Sequence, residues 1–137
     1  MPTDMSKYPA EWPAIRATIL LRAGGDKDDP RVGARCEWCN VRNYDVIEKS
    51  TRAVFVSCDS HGEATSIKCW FDPTGYGVYS IVVLTIAHID DPDPMNCDPA
   101  NLAALCQKCH NTHDAKMRKT NRLLNAAAKS GQLALDL

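Results

Sequence analysis

The sequence predicts a small α+β fold in one domain, with an N-terminal helix, short antiparallel strands and a zinc site made by four cysteines. Its 137 residues are 45% hydrophobic, which suits a single modest core. Two Cys-x-x-Cys pairs stand at 36–39 and 106–109, and each pair places two thiolates on one tight turn. Apolar residues at helical spacing precede the first pair, and a β-branched run precedes the second.

The first predicted element is a helix over about 13–23. Pro13 suits the first turn of a helix, where the N–H group that proline lacks is not needed. Ile15 and Ile19 follow at helical spacing, and a Gly-Gly pair just beyond residue 23 ends the segment. We therefore expect the apolar stripe of this helix to pack on the core.

Strands are predicted in the middle of the chain. The stretches 51–57 and 65–71 are rich in β-branched and aromatic residues, and a turn separates them. Residues 80–87 are almost all β-branched or apolar, which predicts a buried strand that ends at His88.

A long helix is predicted to begin near Cys106 or Gln107. It should run to about Lys129, because residues 115–128 contain neither proline nor glycine. Ser130-Gly131 is expected to end it, so the predicted domain spans residues 1–131.

The cysteine pairs indicate a metal site. Together their four thiolates complete a tetrahedral sulfur site for zinc, made by Cys36, Cys39, Cys106 and Cys109. A site closed by four protein ligands leaves no position for substrate, so this zinc is expected to be structural. The remaining cysteines, which are Cys58, Cys69 and Cys97, are predicted to be buried or free thiols.

The cellular compartment is predicted from the N-terminal residues and from the number of cysteines. Residues 1–10 have neither the basic nor the apolar region of a signal peptide, and seven cysteines cannot all pair as disulfides. These features predict a cytoplasmic protein with reduced thiols. The longest apolar run, residues 81–87, is too short to span a membrane, so no membrane partner is expected.

Basic residues concentrate near the second cysteine pair. Residues 101–137 contain six Lys/Arg and two Asp, whereas residues 1–100 contain ten Lys/Arg and fifteen Asp/Glu. A basic helix face is often only solvated, but beside a metal site it is a candidate contact for nucleic-acid phosphates. The predicted contacts to the DNA backbone are Lys116, Arg118, Lys119 and Arg122.

Three further motifs accompany the second pair. They are Ala87-His88-Ile89-Asp90, Asp98-Pro99-Ala100-Asn101-Leu102 and Leu105-Cys-x-x-Cys-His110. In this order, over roughly residues 36–114, they resemble the HNH (His-Asn-His, ββα-metal) nuclease family, and most closely its small zinc-knuckle members from bacteria and phages. Residues 53–79 match least. The resemblance implies a ββα-metal core over about 80–128.

The resemblance also implies a function, which is metal-dependent endonuclease cleavage of DNA by nicking or by double-strand hydrolysis, in a protein encoded by a phage or prophage of a bacterial host. His88 is implied as the base that activates water, with a structural histidine at a strand end as the alternative. Asn101 is implied to orient that base or to join the metal shell, and an N-cap or Asx turn before the following helix is its alternative.

His110 is implied to be a ligand of the catalytic ion. Asp114 follows one helical turn later on the same face, and an imidazole with a carboxylate suits Mg²⁺, Mn²⁺ or Ni²⁺. His113 and Asp90 are weaker candidates for the same ion. Many family members carry a metal-binding residue immediately before the catalytic histidine, but here that position is Ala87. The alternative is therefore a non-catalytic zinc-finger DNA-binding or adaptor protein derived from an HNH fold.

The tail, residues 132–137, has the sequence Gln-Leu-Ala-Leu-Asp-Leu. It resembles the short motif with which bacterial replication and repair proteins bind the DNA polymerase sliding clamp. An extended peptide with spaced leucines can fill an apolar pocket, so the segment from Gln132 to Leu137 is a candidate clamp-binding peptide. The alternative is a tail that folds back and buries its own leucines.

Overall fold

The computed structural model describes residues 8–74 and 77–135, and for residues 129–135 it describes the backbone alone. In chain order the elements are α1 (Trp12–Arg22), β1 (Val46–Glu48), β2 (Val54–Val56), α2 (His61–Phe71), β3 (Tyr79–Ile81), β4 (Thr85–His88), β5 (Leu102–Leu105) and α3 (Gln107–Leu135). A 3-10 turn, Pro99–Asn101, leads into β5. All strand pairs are antiparallel, in a three-stranded sheet of order β2-β1-β3 and a hairpin of β4 and β5. These elements confirm the predicted α+β fold.

Helix α1 confirms the first predicted element. Proline stands in its first turn, and Ile19 and Leu20 are buried against the core beside β5. Gly24 follows the helix with a φ of 102°, a left-handed conformation that glycine adopts without steric cost. The next amide, Gly25 N–H, donates to the Leu20 carbonyl at 2.9 Å and closes the helix end.

The strand predicted over 65–71 is wrong, because this segment belongs to helix α2. The Ser60 side chain accepts a hydrogen bond from the Glu63 backbone N–H at 3.1 Å and caps the helix. Ala64, Ile67 and Phe71 recur at helical spacing and pack in one small core. The helical period therefore outweighs the β propensity of the individual residues. The strand predicted over 51–57 is confirmed, since β2 lies within it.

The single strand predicted over 80–87 is also wrong, because the chain changes sheets within it. Strand β3 ends at Ile81 and β4 begins at Thr85. Between them the Leu84 N–H donates to the Asn43 side chain at 3.0 Å, and the Val83 N–H donates to the Gln107 side chain at 3.2 Å. Side-chain acceptors thus replace a strand partner where the chain crosses from one sheet to the other.

Helix α3 begins at Gln107, as predicted, but it does not end at Ser130-Gly131 and continues to Leu135. The predicted clamp-binding peptide overlaps this last part of the helix. Its side chains lie outside the described residues, so the clamp interaction stays a prediction. Within residues 8–74 and 77–135, no helix is both long enough and apolar enough to cross a membrane.

The buried residues form two clusters. The larger one joins α1, the first cysteine pair, β5 and the residues around β4, with Ile19 and Leu105 among its fully buried side chains. The smaller one lies between α2 and the three-stranded sheet and contains Val46, Cys58 and Ala64. The larger cluster positions the cysteine site and the β4-β5 hairpin.

Candidate metal and nuclease site

The two predicted cysteine pairs come together although 67 residues separate Cys39 from Cys106. The four sulfur atoms lie within 4.8 Å of one another, and Cys39 Sγ is 3.5 Å from Cys106 Sγ. Sulfur ligands about 2.3 Å from a tetrahedral zinc ion are roughly 3.8 Å apart, so the cluster has nearly the required size. The four cysteines are therefore placed to hold a metal ion such as zinc.

Local backbone geometry builds the first turn of this site. The Asn40 N–H donates to the Cys36 carbonyl at 2.9 Å, and Asn40 has a φ of 69°. Asparagine tolerates this left-handed conformation better than most residues, so its position directly after Cys39 suits the turn. The Cys39 N–H points to Cys36 Sγ at 3.5 Å.

The thiols differ in acidity. Burial raises the pKa of Cys109 and of Cys106. Burial acts in the same direction on Cys39, but hydrogen bonds from the Val41 backbone and from the other thiols outweigh it and lower the pKa of Cys39 to about 7. Cys39 therefore ionises more readily than Cys106 and Cys109, and metal binding must displace protons from those two thiols.

An ion pair of Arg22 and Glu37, here called the brace, holds the turn of the first cysteine pair against the β4-β5 hairpin. Glu37 Oε1 accepts from the Ala104 N–H at 2.9 Å and from Arg22 Nη2 at 2.7 Å, while the Glu37 N–H donates to the Ala104 carbonyl at 2.9 Å. Arg22 also donates to the Leu102 carbonyl at 2.7 Å. The brace thus joins α1, the first cysteine pair and β5.

The second candidate site lies on the side of the hairpin that faces α3. His110 Nε2 is 3.7 Å from Asp114 Oδ1, one helical turn away. The other ring nitrogen, His110 Nδ1, lies 2.6 Å from the Thr85 hydroxyl on β4. A hydrogen bond at one imidazole nitrogen fixes the ring and leaves the other free to bind a cation. The structure thus brings together His110 and Asp114, as the sequence predicts.

Strand alternation separates Ala87 from His88. Successive side chains of β4 point to opposite faces, so Ala87 shares the face of Thr85, toward α3. Ala87 is 3% exposed and has no ligand atom, so this position of β4 adds no metal ligand to the His110–Asp114 pair. His88 points to the other face, where its ring stacks on Trp12 of α1 with 5.5 Å between ring centroids.

His88 is enclosed by aromatic rings. The Tyr8 ring centroid lies 6.0 Å from that of His88, and Tyr8 stacks on Trp12 with 4.7 Å between centroids. Burial lowers the pKa of His88, and a hydrogen bond to the Pro94 backbone only partly opposes this effect. His88 Nε2 is buried and has no hydrogen-bond partner among the described residues. His88 is therefore held in its neutral form.

Asn101 is buried, and its amide binds the loop that follows β4. Oδ1 accepts from the N–H groups of Asp90 at 2.9 Å and Asp91 at 2.8 Å. Nδ2 donates to the carbonyls of Asp91 at 2.9 Å and Asn96 at 3.1 Å. These four bonds use both lone pairs and both N–H groups, so none is left for the predicted bond to His88.

The two weaker candidates have other contacts. His113 is 8% exposed, and its Nε2 lies 2.8 Å from the Ile89 carbonyl, which can only accept, so Nε2 is the donor. Among the described residues the other ring nitrogen, Nδ1, which is buried, has no hydrogen-bond partner, and it lies 3.7 Å from Asp114 Oδ1. Asp90 lies with His113 and Trp38 around a surface depression beside α3.

Basic side chains continue the row of the candidate ligands along α3. His110, Asp114, Arg118 and Arg122 recur every four residues and therefore form one slanting row of neighbouring side chains along the helix. The row is about 18 Å long at 1.5 Å per residue. All four predicted DNA contacts are exposed, at Lys116, Arg118, Lys119 and Arg122.

Three residues that contact the candidate metal sites were not predicted from the sequence. Thr85 can be found from strand parity once the hairpin register is known. Glu37 carries no signal, because its partners lie on other elements. Arg52 lies in the loop between β1 and β2, yet its guanidinium reaches the cysteine cluster.

Comparisons of the chain with protein-family models, with curated proteins and with solved structures found no match.

Proposed function

We propose that the protein is a metal-dependent DNA endonuclease of the HNH type that hydrolyses phosphodiester bonds. The main support is the His110–Asp114 pair, with 3.7 Å between Nε2 and Oδ1. This pair lies beside the cysteine cluster, on a helix that follows two antiparallel strands in the order β4, β5, α3. An imidazole and a carboxylate suit Mg²⁺, Mn²⁺ or Ni²⁺. Such ions often have few protein ligands and bind water and phosphate oxygens in addition.

His88 is the proposed base. Its lowered pKa keeps the ring neutral, and a neutral imidazole can take a proton from water. The unpartnered Nε2 provides the lone pair, and it can serve an ion on the His110–Asp114 pair only after the ring leaves Tyr8 and Trp12 and turns toward the α3 face of the hairpin. Asn101 acts on His88 indirectly, because it fixes the loop directly after this residue. A bound divalent ion supplies the charge that stabilises the leaving oxygen.

The experiment that tests this function is cleavage of supercoiled plasmid by the zinc-loaded protein, with Mg²⁺, Mn²⁺ or Ni²⁺ added. Metal-dependent nicking by the wild type is expected, together with its loss in His110→Ala. The matched control is Asn111→Ala, which removes an exposed polar side chain from the adjacent position of α3. Equal nicking by His110→Ala and Asn111→Ala would assign the cleavage to another site or to a contaminant.

The proposed DNA surface is tested separately by charge reversal on α3. Lys119→Glu with Arg122→Glu should weaken duplex binding and flatten its salt dependence, because phosphate contacts release counterions. The control is Lys27→Glu with Lys49→Glu, which makes the same change in net charge at exposed positions away from α3. Unchanged affinity and salt slope in the α3 variant would contradict this surface.

One observation favours the second candidate, a zinc-dependent DNA-binding or adaptor protein without activity. Ala87 leaves the His110–Asp114 pair without the ligand that the strand usually provides. The two functions differ in metal content, since the nuclease needs a second, exchangeable ion and the adaptor needs only zinc. DNA binding without cleavage under any metal, and without Mn²⁺ binding to the zinc-loaded protein, would favour the adaptor.

A further inference from the structure

Arg52 contacts the cysteine cluster, although the sequence around it contains no metal-binding motif. It lies in the loop between β1 and β2, 13 positions after Cys39 and 54 positions before Cys106 in the sequence. Its Nη2 is 3.3 Å from Cys106 Sγ and 3.7 Å from Cys39 Sγ. One N–H group thus faces two of the four sulfur atoms that are placed to hold a metal ion.

The backbone at Arg52 is unusual for this residue type. Arg52 has a φ of 65°, in the left-handed region that few residues other than glycine, asparagine and aspartate adopt. The turn is closed by the Arg52 N–H, which donates to the Glu48 carbonyl at 2.8 Å, and by the Glu48 N–H, which donates to the Ala53 carbonyl at 2.9 Å. The turn therefore carries a long cationic side chain where glycine would be easier to accommodate.

The positive charge of Arg52 matters because a metal ion held by four thiolates forms a negatively charged site. Four thiolates around a divalent ion carry a net charge of −2, and metal-bound thiolates remain good hydrogen-bond acceptors. Within the described part of the chain, Arg52 has no carboxylate at ion-pair distance, unlike Arg22, Arg31 and Arg42. Its guanidinium is therefore directed to sulfur and not to an acidic side chain.

We propose that Arg52 stabilises the metal-loaded cysteine site by donating to the sulfur atoms of Cys106 and Cys39. The cysteine site packs with the larger buried cluster, whereas the β1-β2 turn lies beside the smaller one. The Arg52 contact therefore connects the smaller cluster to the metal site. Arg52 is a positioning residue, since it acts on the metal through its ligands. The proposal rests on the cysteine cluster alone and is independent of nuclease activity.

The first test is the zinc dissociation constant, measured by competition with a chromophoric chelator at fixed pH. Loss of a hydrogen bond to a metal ligand typically weakens metal affinity by roughly 10- to 100-fold, and this range is expected for Arg52→Ala. Arg52→Lys should lie between it and the wild type, because lysine keeps the charge but not the planar donor group. Arg31→Ala, in a solvent-exposed loop pair with Asp29, is the control and should stay within about twofold of the wild type.

The second test is amide hydrogen exchange of the zinc-saturated proteins. In Arg52→Ala the amides of β1 and β2 should exchange faster, while those of β4 and β5 stay protected. Arg52→Lys provides the same comparison if the alanine variant does not fold. An Arg52→Ala dissociation constant within twofold of the wild type would overturn the proposal. Equal acceleration in both sheets would overturn it too, because general destabilisation would then explain the effect.

Discussion

Replacing Asn101 by alanine separates a structural role from a catalytic one. The Asn101 amide makes four hydrogen bonds to the backbone of Asp90, Asp91 and Asn96. Asn101→Ala removes all four bonds and leaves two N–H groups and two carbonyls of the loop without their partner. The loop directly follows His88, so its loss of order should also disturb the proposed base.

The magnitude follows from these bonds. A hydrogen bond contributes about 0.5–1.5 kcal/mol net, so four contribute roughly 2–6 kcal/mol. Most of the loop is exposed, and water can replace part of what is lost at its backbone groups. We therefore expect the free energy of unfolding to fall by about 3 kcal/mol, a large share of the 5–15 kcal/mol that is typical of a whole domain.

Urea unfolding of the zinc-saturated protein measures this change. The control is Asn121→Ala, an exposed asparagine on α3, whose free energy of unfolding should change by less than about 0.5 kcal/mol. Asn101→Asp keeps both acceptor bonds but turns a carboxylate oxygen toward the Asp91 and Asn96 carbonyls in place of their donor, so it should lose stability as well. A loss below about 0.5 kcal/mol for Asn101→Ala would refute the structural role. Lost cleavage with unchanged stability would instead indicate a direct catalytic role.

Three further predictions concern the metal, the brace and His88. Removing zinc with a chelator should lower the melting temperature by at least roughly 10 °C, and an unchanged calorimetric transition would contradict a structural metal. Glu37→Gln should cost about 0.5–1.5 kcal/mol in urea unfolding, since its partner Arg22 is 39% exposed and water screens the pair; no loss would contradict the brace. The folded pKa of His88 lies below the unfolded value of 6.5, so stability should fall as pH falls through this interval; His88→Phe should remove that part of the slope, and identical melting-temperature profiles would contradict it.

Local signals predicted part of this structure well. The cysteine pairs require only a short spacing, so their role follows from the chain itself, and Pro13 and the Gly-Gly pair after residue 23 locate α1. Helix α2 was predictable in principle. Ser60 followed three residues later by Glu63 is a capping signal, but the β-forming residues near Trp70 dominate the propensity.

The rest of the candidate site depends on contacts between distant residues. The direction of His88 is set by the register of β4 against β5, because a shift of one residue would exchange its face with that of Ala87. The partners of Asn101 depend on the fold of an irregular loop. Arg52 reaches the cysteines only because a left-handed turn directs it there. Spacing along the chain contains none of this information.

The central claim is that a divalent ion on the His110–Asp114 pair cleaves DNA. The most direct measurement is the rate at which the zinc-loaded protein nicks supercoiled plasmid in Mn²⁺, compared with the rate for Asp114→Asn, which keeps the shape of the side chain and removes its charge. We expect nicking by the wild type that a chelator abolishes, and at least about a tenfold slower rate for the variant. Equal rates for the two proteins, or DNA binding without any nicking, would contradict it.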